Sequence, residues 1–462
     1  MTLDPLLLSR LQFAFTVSFH IIFPSMSIGL CTFLVLVEFM HLRTGDELYR
    51  RIYRFWSILF ALGFGMGVVS GLVMSFEFGT NFSRFAQAVG PVIGPMIGLE
   101  VMSAFFLEAG FLGIMLFGWG RVGPRLHFAA TCLVSVGTMI SATFILAANS
   151  WMQTPAGVTF DGRTFHVVNW VKAFLNPSFP YRAAHMLLAA WITAAFLIAG
   201  VSARYLLQGR HLDTARRCYS LALAAASILL PLQLYLGDVL ALDVMAPHQI
   251  AKIEAMEGFW ETTPSAPWNV IVIPDQRKGR NRFALSVPYL GSVLVGKNLH
   301  TSIPGLNETP RDRRPTMWIV FYSFRVMFLL GTLMFCAGIY SVWLRWRHRL
   351  YTSRRFQRLM VWLTPSGFIC VLGGWFTAET GRQPFTVYGY LRTVDSVSPV
   401  APATVVTSLT LFLIVYGGLL AAFLYLIRRT LQRGPVERPL RTSPSGTVRR
   451  AFVREPEKEV GV

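Results

Sequence analysis

Hydrophobic residues in this chain are gathered into nine long runs, which shorter polar segments separate. A helix needs about 20 mainly apolar residues to cross the hydrocarbon core of a bilayer, and each run reaches that length. Because backbone N–H and C=O groups cannot stay unpaired in lipid, the runs are expected to form a helical bundle. We place the predicted spans near residues 12–38, 53–78, 95–118, 126–148, 183–207, 217–238, 317–343, 358–378 and 403–428.

The pattern therefore predicts an all-α polytopic membrane protein with one long polar loop. That loop covers about 239–316, between the sixth and seventh runs, and the chain after Gly434 is rich in proline, serine and charge. We expect a membrane domain over residues 1–433 and a disordered tail over 434–462. The first run is too long for a cleavable signal peptide and lacks an Ala-x-Ala end.

Composition supports the membrane assignment and explains the charge. The chain has 462 residues, of which 53% are hydrophobic, and its mean hydropathy is +0.50. The net charge of +19 could suggest a nucleic-acid partner, but the arginines concentrate in the loops after odd-numbered runs. Such loops face the cytoplasm, which places the N-terminus outside and the C-terminus in the cytoplasm and leaves no need for nucleic acid.

The cysteines exclude several classes of site. None of the five forms a CxxC pair, so disulfide staples, zinc ribbons and c-type haem attachment are unsupported. Because all five fall in or beside apolar runs, we expect them to be small buried hydrophobic side chains.

The most unusual stretch closes the eighth run and reads GGWFTAETGRQPF, from Gly373 to Phe385. A carboxylate at the end of a membrane helix is costly unless it meets a cation, a metal or water. Pro384 has no N–H and Gly381 is conformationally permissive. We therefore expect Glu379 and Arg382 to lie on a non-helical rim that faces a buried group.

Three further runs carry side chains that suit iron. His20 lies in the first run, His185 opens the fifth, and Met327 lies in the seventh. Imidazole and thioether groups are haem ligands. Taken alone, His20 is better explained by a hydrogen bond to a neighbouring helix, and Met327, one of 17 methionines, by core packing.

Acidic residues inside the third run raise the possibility of proton transfer. Glu100 and Glu108 are eight residues apart, which is about 12 Å along a helix and broadly the same side. At that depth they would be protonated or linked by water, either as structural acids capped by partners or as a proton relay. His127, at the start of the fourth run, is expected to be a hydrated interfacial histidine.

The long loop contains Lys252 and Glu257, which a helix over 249–261 would place near one face. Such a run is commonly a solvated charged surface. The alternative is a redox site, because a carboxylate and a cation can accept and steer the protons that a quinol releases on oxidation.

Together these motifs resemble subunit I of the cytochrome bd-type quinol oxidases. The stretch at Glu379 is similar to the family's GWxxxExGRQPW, with Phe385 in place of the last tryptophan. Further similarities are SRLQFA…H around His20, N-x-WMQ-x-P after Asn149, FRxM at Arg325 and K-x-x-x-x-EG-x-W-ET from Lys252. The resemblance extends to about residue 430, and the loop is similar to that of the short-loop, cyanide-insensitive-like branch.

The resemblance implies a set of cofactor ligands. His185 and Met327 would hold a low-spin haem b, with Arg325 neutralising a propionate. His20 and Glu379 would each serve one high-spin haem, of which one is haem b and the other haem d or a further haem b; which residue serves which stays open. Trp375 would be an electron bridge between haems, or a packing residue. Roles in quinol or proton chemistry are implied for Lys252, Glu257, Arg382, Glu100 and Glu108.

The implied function is quinol oxidation at the outer face and reduction of O2 to water, in a bacterial cytoplasmic (inner) membrane. Protons would come from the cytoplasm, so charge separation alone would generate a proton-motive force. Subunit II is the expected partner in a membrane heterodimer, and a small single-helix subunit is the other partner considered. A haem-copper oxidase would need about six deep histidines, whereas only His20 and His185 lie clearly inside spans. A transporter using intramembrane carboxylates is the remaining alternative, but the chain lacks an evident inverted repeat.

Overall fold

A computed structural model gives the fold of residues 4–435. In that part of the chain nine helices are long and apolar enough to cross a membrane, which confirms the predicted all-α bundle. They are α1 (Pro5–Thr44), α2 (Glu47–Thr80), α3 (Ser83–Phe117), α4 (Pro124–Gln153), α5 (Phe179–Gln208), α6 (Leu212–His248), α7 (Met317–Trp346), α8 (Arg354–Arg382) and α9 (Pro402–Arg433).

All nine helices are longer than the predicted runs, and caps stabilise several of their ends. The Asp4 and Asp46 side chains accept hydrogen bonds from the backbone N–H groups of Leu6 and Leu48 at 2.9 and 2.8 Å. Gly45 and Gly209 end α1 and α5 in the left-handed conformation, which glycine adopts without steric strain. Each span is longer than hydropathy alone predicts.

Helices α1 and α5 form the centre of the bundle, and α9 lies at its periphery. Apolar side chains of α1, α2, α5, α6, α7 and α8 form the main core. Helix α9 packs mainly through Tyr416, whose ring stacks on Phe19 at 4.5 Å between centroids. It carries no buried ion pair among the described residues, as expected for a packing element.

Two π-helical turns and several prolines lie within helices that carry candidate site residues. The π turns are Val101–Phe105 in α3 and Leu240–Met245 in α6. Such turns often mark functional positions. In α1, Pro24 has no N–H to donate to the carbonyl of His20, one turn earlier.

The segment between α6 and α7 is folded rather than loose. It contains the helix Ile250–Glu257, the antiparallel hairpin of β3 (Trp268–Asp275) and β4 (Arg280–Val287), and the helix Leu290–Gly296. Trp260 Nε1 donates to Asn281 Oδ1 at 2.9 Å, which ties the end of the first helix to the hairpin. The predicted loop began at residue 239; in the structure the π turn carries α6 on to His248, and the loop covers 249–316.

Two smaller hairpins cover the same end of the bundle. Strands β1 (Val158–Phe160) and β2 (Phe165–Val167) follow α4, and β5 (Phe385–Val387) and β6 (Leu391–Arg392) follow α8. The backbone N–H of Tyr388 donates to the carbonyl of Met152 at 3.0 Å, so the stretch after α8 rests on the end of α4.

Two local predictions were wrong. Glu379 and Arg382 are not on a non-helical rim, because the helix Ser366–Arg382 continues through both and ends only at Gln383. The helix expected over 249–261 stops at Glu257, where Gly258 takes a positive φ of 75°. Lys252 and Glu257 both lie within the observed helix, and their spacing of five residues turns them toward different helices instead of one face.

Two remaining predictions concern the cysteines and the tail. Cys31 and Cys218 are buried as expected, but Cys336 is exposed on the apolar surface of α7. The predicted disordered tail, residues 434–462, lies outside the described residues from 436 onward.

Candidate functional site

Glu379 is the centre of a polar site inside the bundle, on the last turn of α8. Its Oε1 accepts hydrogen bonds from Asn149 Nδ2 at 2.9 Å and from Gln153 Nε2 at 3.2 Å, and its Oε2 pairs with Arg382. Asn149 and Gln153 are on α4, one turn apart. We call Glu379, Arg382, Asn149 and Gln153 the Glu379 site.

Two further cations surround this site. Arg182 of α5 donates to Asn149 Oδ1 at 2.7 Å, and the Lys252 ammonium donates to Gln153 Oε1 at 2.6 Å. Within residues 4–435, Arg382 Nε and NH1 and Arg182 Nε are buried without a hydrogen-bond partner. Three cations surround one carboxylate, and some of their N–H donors have no hydrogen-bond partner. Such a site is suited to an additional anionic group such as a haem propionate.

Lys252 lies outside the spans but is fully enclosed. Burial lowers the pKa of its ammonium well below the ordinary value of 10.5; Arg182 and Arg382 lower it further, and Glu379 opposes them. The unfolded chain thus binds this proton more tightly than the folded chain does. Between the two pKa values the free energy of unfolding therefore rises with pH, and above the ordinary lysine range the rise stops.

Replacing Lys252 with methionine should flatten this rise in stability. The measurement is the thermal unfolding midpoint of purified protein between about pH 6 and pH 9. Lys297→Met is the matched control, because Lys297 pairs with Asp238 at 2.7 Å on the surface, where an ion pair contributes little. Identical pH slopes for the parent and Lys252→Met would show that Lys252 is not the titrating group.

His185 and Met327 lie among four helices, α5 to α8. His185 Nε2 is 3.2 Å from Gln233 Nε2, and its buried Nδ1 has no hydrogen-bond partner in the described part of the chain. A Cβ on Gly237 would lie 3.1 Å from the imidazole, and a Cβ on Gly374 would lie 3.0 Å from Met327 Sδ. Both proposed ligands thus pack closely against a glycine, and the unpartnered Nδ1 of His185 suits a bond to a haem iron.

Arg325 connects this region to the loop. Its NH2 donates to Glu257 Oε2 at 3.0 Å and its Nε to the carbonyl of Asn269 at 2.7 Å, and its guanidinium lies 4.5 Å from the Phe321 ring centroid. Both charges are buried. Arg325 was expected to face a propionate, but in the structure it contacts a protein carboxylate. Of its three guanidinium nitrogens, only NH1 lacks a hydrogen-bond partner among residues 4–435.

His20 occupies a separate position between α1 and α2. Its Nδ1 is 3.0 Å from Ser70 Oγ, so the alternative of a histidine bonded to a neighbouring helix is observed. A Cβ on Gly71 would lie 3.1 Å from the ring, so the imidazole packs closely against this glycine. The bond to Ser70 fixes the ring and does not exclude a role as ligand through Nε2.

Glu100 and Glu108 both face α4. Ser141 Oγ donates to Glu100 Oε1 at 2.6 Å, and a Cβ on Gly137 would lie 2.7 Å from Glu108 Cγ. A π turn separates the two acids, and because a π residue advances less around the axis than an α residue, it brings them closer to one face.

Trp375 is half-buried on α8, one turn before Glu379, and its ring makes an edge contact with Phe376 at 5.2 Å.

The sequence analysis did not identify several residues of the site. Gln153 lies inside the N-x-WMQ-x-P motif, but neither Arg182 nor Gln233 belongs to a motif given above. Two buried acids, Glu38 and Glu77, were also missed. The signal that could have found them is the same in each case: a single polar residue inside an apolar run needs a partner.

In the described part of the chain no cluster of three or more His, Cys, Asp or Glu side chains could hold a bare metal ion. The candidate ligands are dispersed singly among the helices. Haem needs only one or two axial side chains, since the porphyrin supplies the other ligands. A helical membrane bundle with such dispersed imidazole, thioether and carboxylate groups has the form of a haem-containing membrane oxidoreductase.

Comparison with known proteins identifies the family within this class. The family profile of cytochrome bd terminal oxidase subunit I matches residues 8–435. The chain is 34% identical over 447 residues to the cytochrome bd ubiquinol oxidase subunit 1 of Bacillus subtilis (strain 168), covering 94% of each chain. It is 32% identical over 500 residues to the cytochrome bd-II ubiquinol oxidase subunit 1 of Escherichia coli (strain K12), covering 94% of this chain and 97% of that one.

A solved structure agrees. The bd oxidase from Geobacillus thermodenitrificans superposes with a TM-score of 0.86 at 30% identity, covering 94% of this chain and 99% of that chain. This chain belongs to the cytochrome bd oxidase subunit I family. It is a multi-pass membrane oxidoreductase of the bd quinol oxidase type, and the transporter alternative is set aside.

Proposed function

We propose that this subunit oxidises a quinol beside its long loop and passes the electrons inward to reduce O2 to water. The observation that carries this proposal is the buried contact between Glu257 and Arg325 at 3.0 Å. Glu257 lies on the loop, and Arg325 lies two positions before Met327 on α7. The carboxylate suited to accept quinol protons is thus joined directly to the segment that carries a haem ligand.

The cofactors would be two haem b groups, one low-spin and one high-spin, and one haem d or further haem b. When bound, they supply the one-electron transfers and the oxygen chemistry. His185 and Met327 would hold the low-spin haem, and His20 and Glu379 would each serve one high-spin haem. Trp375 would lie between haems, and Arg182 and Arg382 would hold propionates.

Loop residues and α3 would handle the protons. Glu257 would accept a proton from quinol, and Lys252 and Arg325 would hold the negative charge that develops there. Glu108 and Glu100 would pass protons toward the oxygen site. With the arginine-rich loops in the cytoplasm and the N-terminus outside, quinol protons leave outside and oxygen takes its protons from inside.

The partners would be subunit II in a membrane heterodimer and a small single-helix subunit, with quinol and O2 as substrates. The setting would be the bacterial cytoplasmic membrane. Large apolar side chains exposed on α2 and α3, among them Leu72, Phe76, Met102 and Phe106, support a lipid or subunit contact on that side.

Glu257→Gln tests the quinol site. We expect quinol oxidation to fall about 100-fold, while O2 reduction with an artificial electron donor stays near the parent rate. The glutamine can still accept a hydrogen bond from Arg325, so the fold is preserved. The measurement is O2 consumption with each donor, together with the reduced-minus-oxidised haem spectrum.

Glu254→Gln is the control for this test. Glu254 is on the same short helix and is also buried, but it bonds to Thr309 instead of Arg325. Equal loss of activity with both donors in Glu257→Gln would contradict a role in quinol oxidation. A preparation without haem bands would contradict the proposed function as a whole.

A further inference from the structure

A buried carboxylate–imidazole pair lies at the arginine-rich ends of α1 and α4, far from the Glu379 site. His127 Nδ1 is 2.6 Å from Glu38 Oε1, and Thr131 Oγ1 donates to Glu38 Oε2 at 2.6 Å. Glu38 is 1% exposed and His127 is 2% exposed. The Tyr53 hydroxyl is 2.8 Å from Thr131 Oγ1. We call these four residues the Glu38 group; the proposed function leaves it without a role.

The group has unused hydrogen-bonding capacity. Buried His127 Nε2 has no partner among residues 4–435, and neither has Nε1 of Trp119, whose ring lies 4.3 Å from the imidazole. The Arg50 guanidinium lies 5.2 Å from the Trp119 centroid and is partly exposed. A buried nitrogen without a hydrogen bond costs free energy. His127 Nε2 and Trp119 Nε1 are therefore positions where water can bind between the Glu38 group and the surface.

This arrangement corrects the expectation of a hydrated, interfacial His127. The imidazole is enclosed because α1 brings Glu38 against it. A contact that only holds two helices together would need no more than one hydrogen bond between neutral groups. An acid and a base in contact, with one nitrogen left over, can instead bind and release a proton.

Helix α4 continues from this group as a line of polar side chains. Their spacing of four, four, three and three residues keeps them on one helical face. The line, which we call the α4 stripe, consists of His127, Thr131, Ser135, Thr138 and Ser141.

Neighbouring helices place polar groups along the α4 stripe. Ser135 Oγ is 3.5 Å from Thr32 Oγ1, which in turn accepts from Trp191 Nε1 at 3.1 Å. Glu108 packs against Gly137 between Ser135 and Ser141, and Ser141 donates to Glu100. The stripe therefore leads from the Glu38 group to the two acids over about 21 Å of helix.

The same helix reaches the Glu379 site at its other end, through Asn149 and Gln153. Helix α4 thus contacts four acids along its length: Glu38, Glu108, Glu100 and Glu379. Hydroxyl groups at three- and four-residue spacing are close enough for single waters to bridge them.

We propose that Glu38 and His127 are the proton uptake site of this subunit and that the α4 stripe conducts protons to Glu108 and Glu100. This inference rests on the proposed function, in which O2 with four electrons and four protons becomes two waters. A hydronium ion at the cytoplasmic side gives its proton to His127 Nε2 and becomes water. The Nδ1–H bond then breaks as Glu38 or a bridging water accepts that proton, and the hydroxyl groups of the stripe relay it. No proton path through a second subunit is then required.

Glu38→Gln tests the proposal. The amide can accept from Thr131 and donate to His127, so the contacts survive while the proton-binding carboxylate is lost. In the complete oxidase, reduced and then mixed with O2, we expect proton uptake, followed with a pH-indicator dye, to slow about tenfold or more. The haem spectrum should be unchanged. Glu38→Asp should recover a large part of the rate.

Two further variants make the result decisive. Thr131→Val keeps the shape of the side chain and removes the hydroxyl from the stripe, so it should also slow proton uptake. Glu77→Gln is the matched control. Glu77 is 1% exposed and bonded to Thr16, but it lies at the end of α2 opposite to Tyr53 of the Glu38 group. It should keep the parent rate of proton uptake.

Glu108→Gln separates failure of this inference from failure of the proposed function. If Glu108→Gln blocks proton uptake while Glu38→Gln and Thr131→Val do not, the proton enters elsewhere, and a path through the partner subunit replaces our proposal. If all three variants take up protons at the parent rate, the proposed route through α3 is wrong as well. Equal rates for Glu38→Asp and Glu38→Gln would overturn the role of the carboxylate.

Discussion

His185→Ala is expected to remove the low-spin haem signal from the reduced-minus-oxidised spectrum while sparing the other haem bands. His185 is enclosed by α5 to α8, its ring packs closely against Gly237, and its Nδ1 has no protein partner in residues 4–435. Without the imidazole, the low-spin haem would lose one of its two proposed protein ligands. Quinol oxidase activity should fall with the signal, because electrons would no longer enter the chain of haems.

The control for this experiment is His166→Ala. His166 is exposed on β2 and bonds to Asp161 at 2.8 Å, so its loss should leave the haem spectrum intact. A second variant, Met327→Leu, should change the same low-spin bands, since the two residues are the proposed pair of ligands. An unchanged spectrum in His185→Ala would refute its assignment as a ligand.

Glu379→Ala is expected to have the second large effect, on both stability and one high-spin haem. It removes the carboxylate that Arg382, Asn149 and Gln153 contact. Leaving a buried cation unpaired costs about 3–5 kcal/mol, so the thermal unfolding midpoint should fall. The ligand-binding spectrum of a reduced high-spin haem should change as well.

The double variant Glu379→Ala with Arg382→Ala distinguishes the two effects. Removing the unpaired guanidinium should restore part of the lost stability, because the charge that needed a partner is gone. It should not restore the haem spectrum if Glu379 is a ligand. Recovery of both together would indicate that Glu379 serves only to balance Arg382, and native spectra in the single variant would dismiss the ligand role.

The sequence predicted the bundle well because hydropathy depends on composition within a run. All nine spans were found, although α6 and α8 extend further than predicted. The extension of α8 through Glu379 and Arg382 was missed because Pro384 and Gly381 suggested an earlier end. Gly381 is tolerated inside the helix, where a Cβ would lie 2.6 Å from Cγ of Lys252, so that lysine can pack against it.

The sequence did not predict which side chains contact each other. Lys252 and Glu257 are five residues apart, yet one contacts α4 and the other α7. Likewise His127 was expected to be hydrated, and it is instead enclosed by Glu38 from a helix almost 90 positions earlier. Both outcomes depend on how the helices pack, which local spacing does not encode.

By itself the sequence determined that this chain crosses a membrane as helices and that a few imidazole, thioether and acidic side chains lie inside it. Lipid forces the backbone into helices, and polar residues stand out against apolar runs, so both follow from local composition. Only the tertiary structure decided which charges meet: Glu379 with Arg382, Glu257 with Arg325 and Glu38 with His127. A buried charge is stabilised by whichever group a neighbouring helix brings within hydrogen-bond distance, and that is fixed by packing alone.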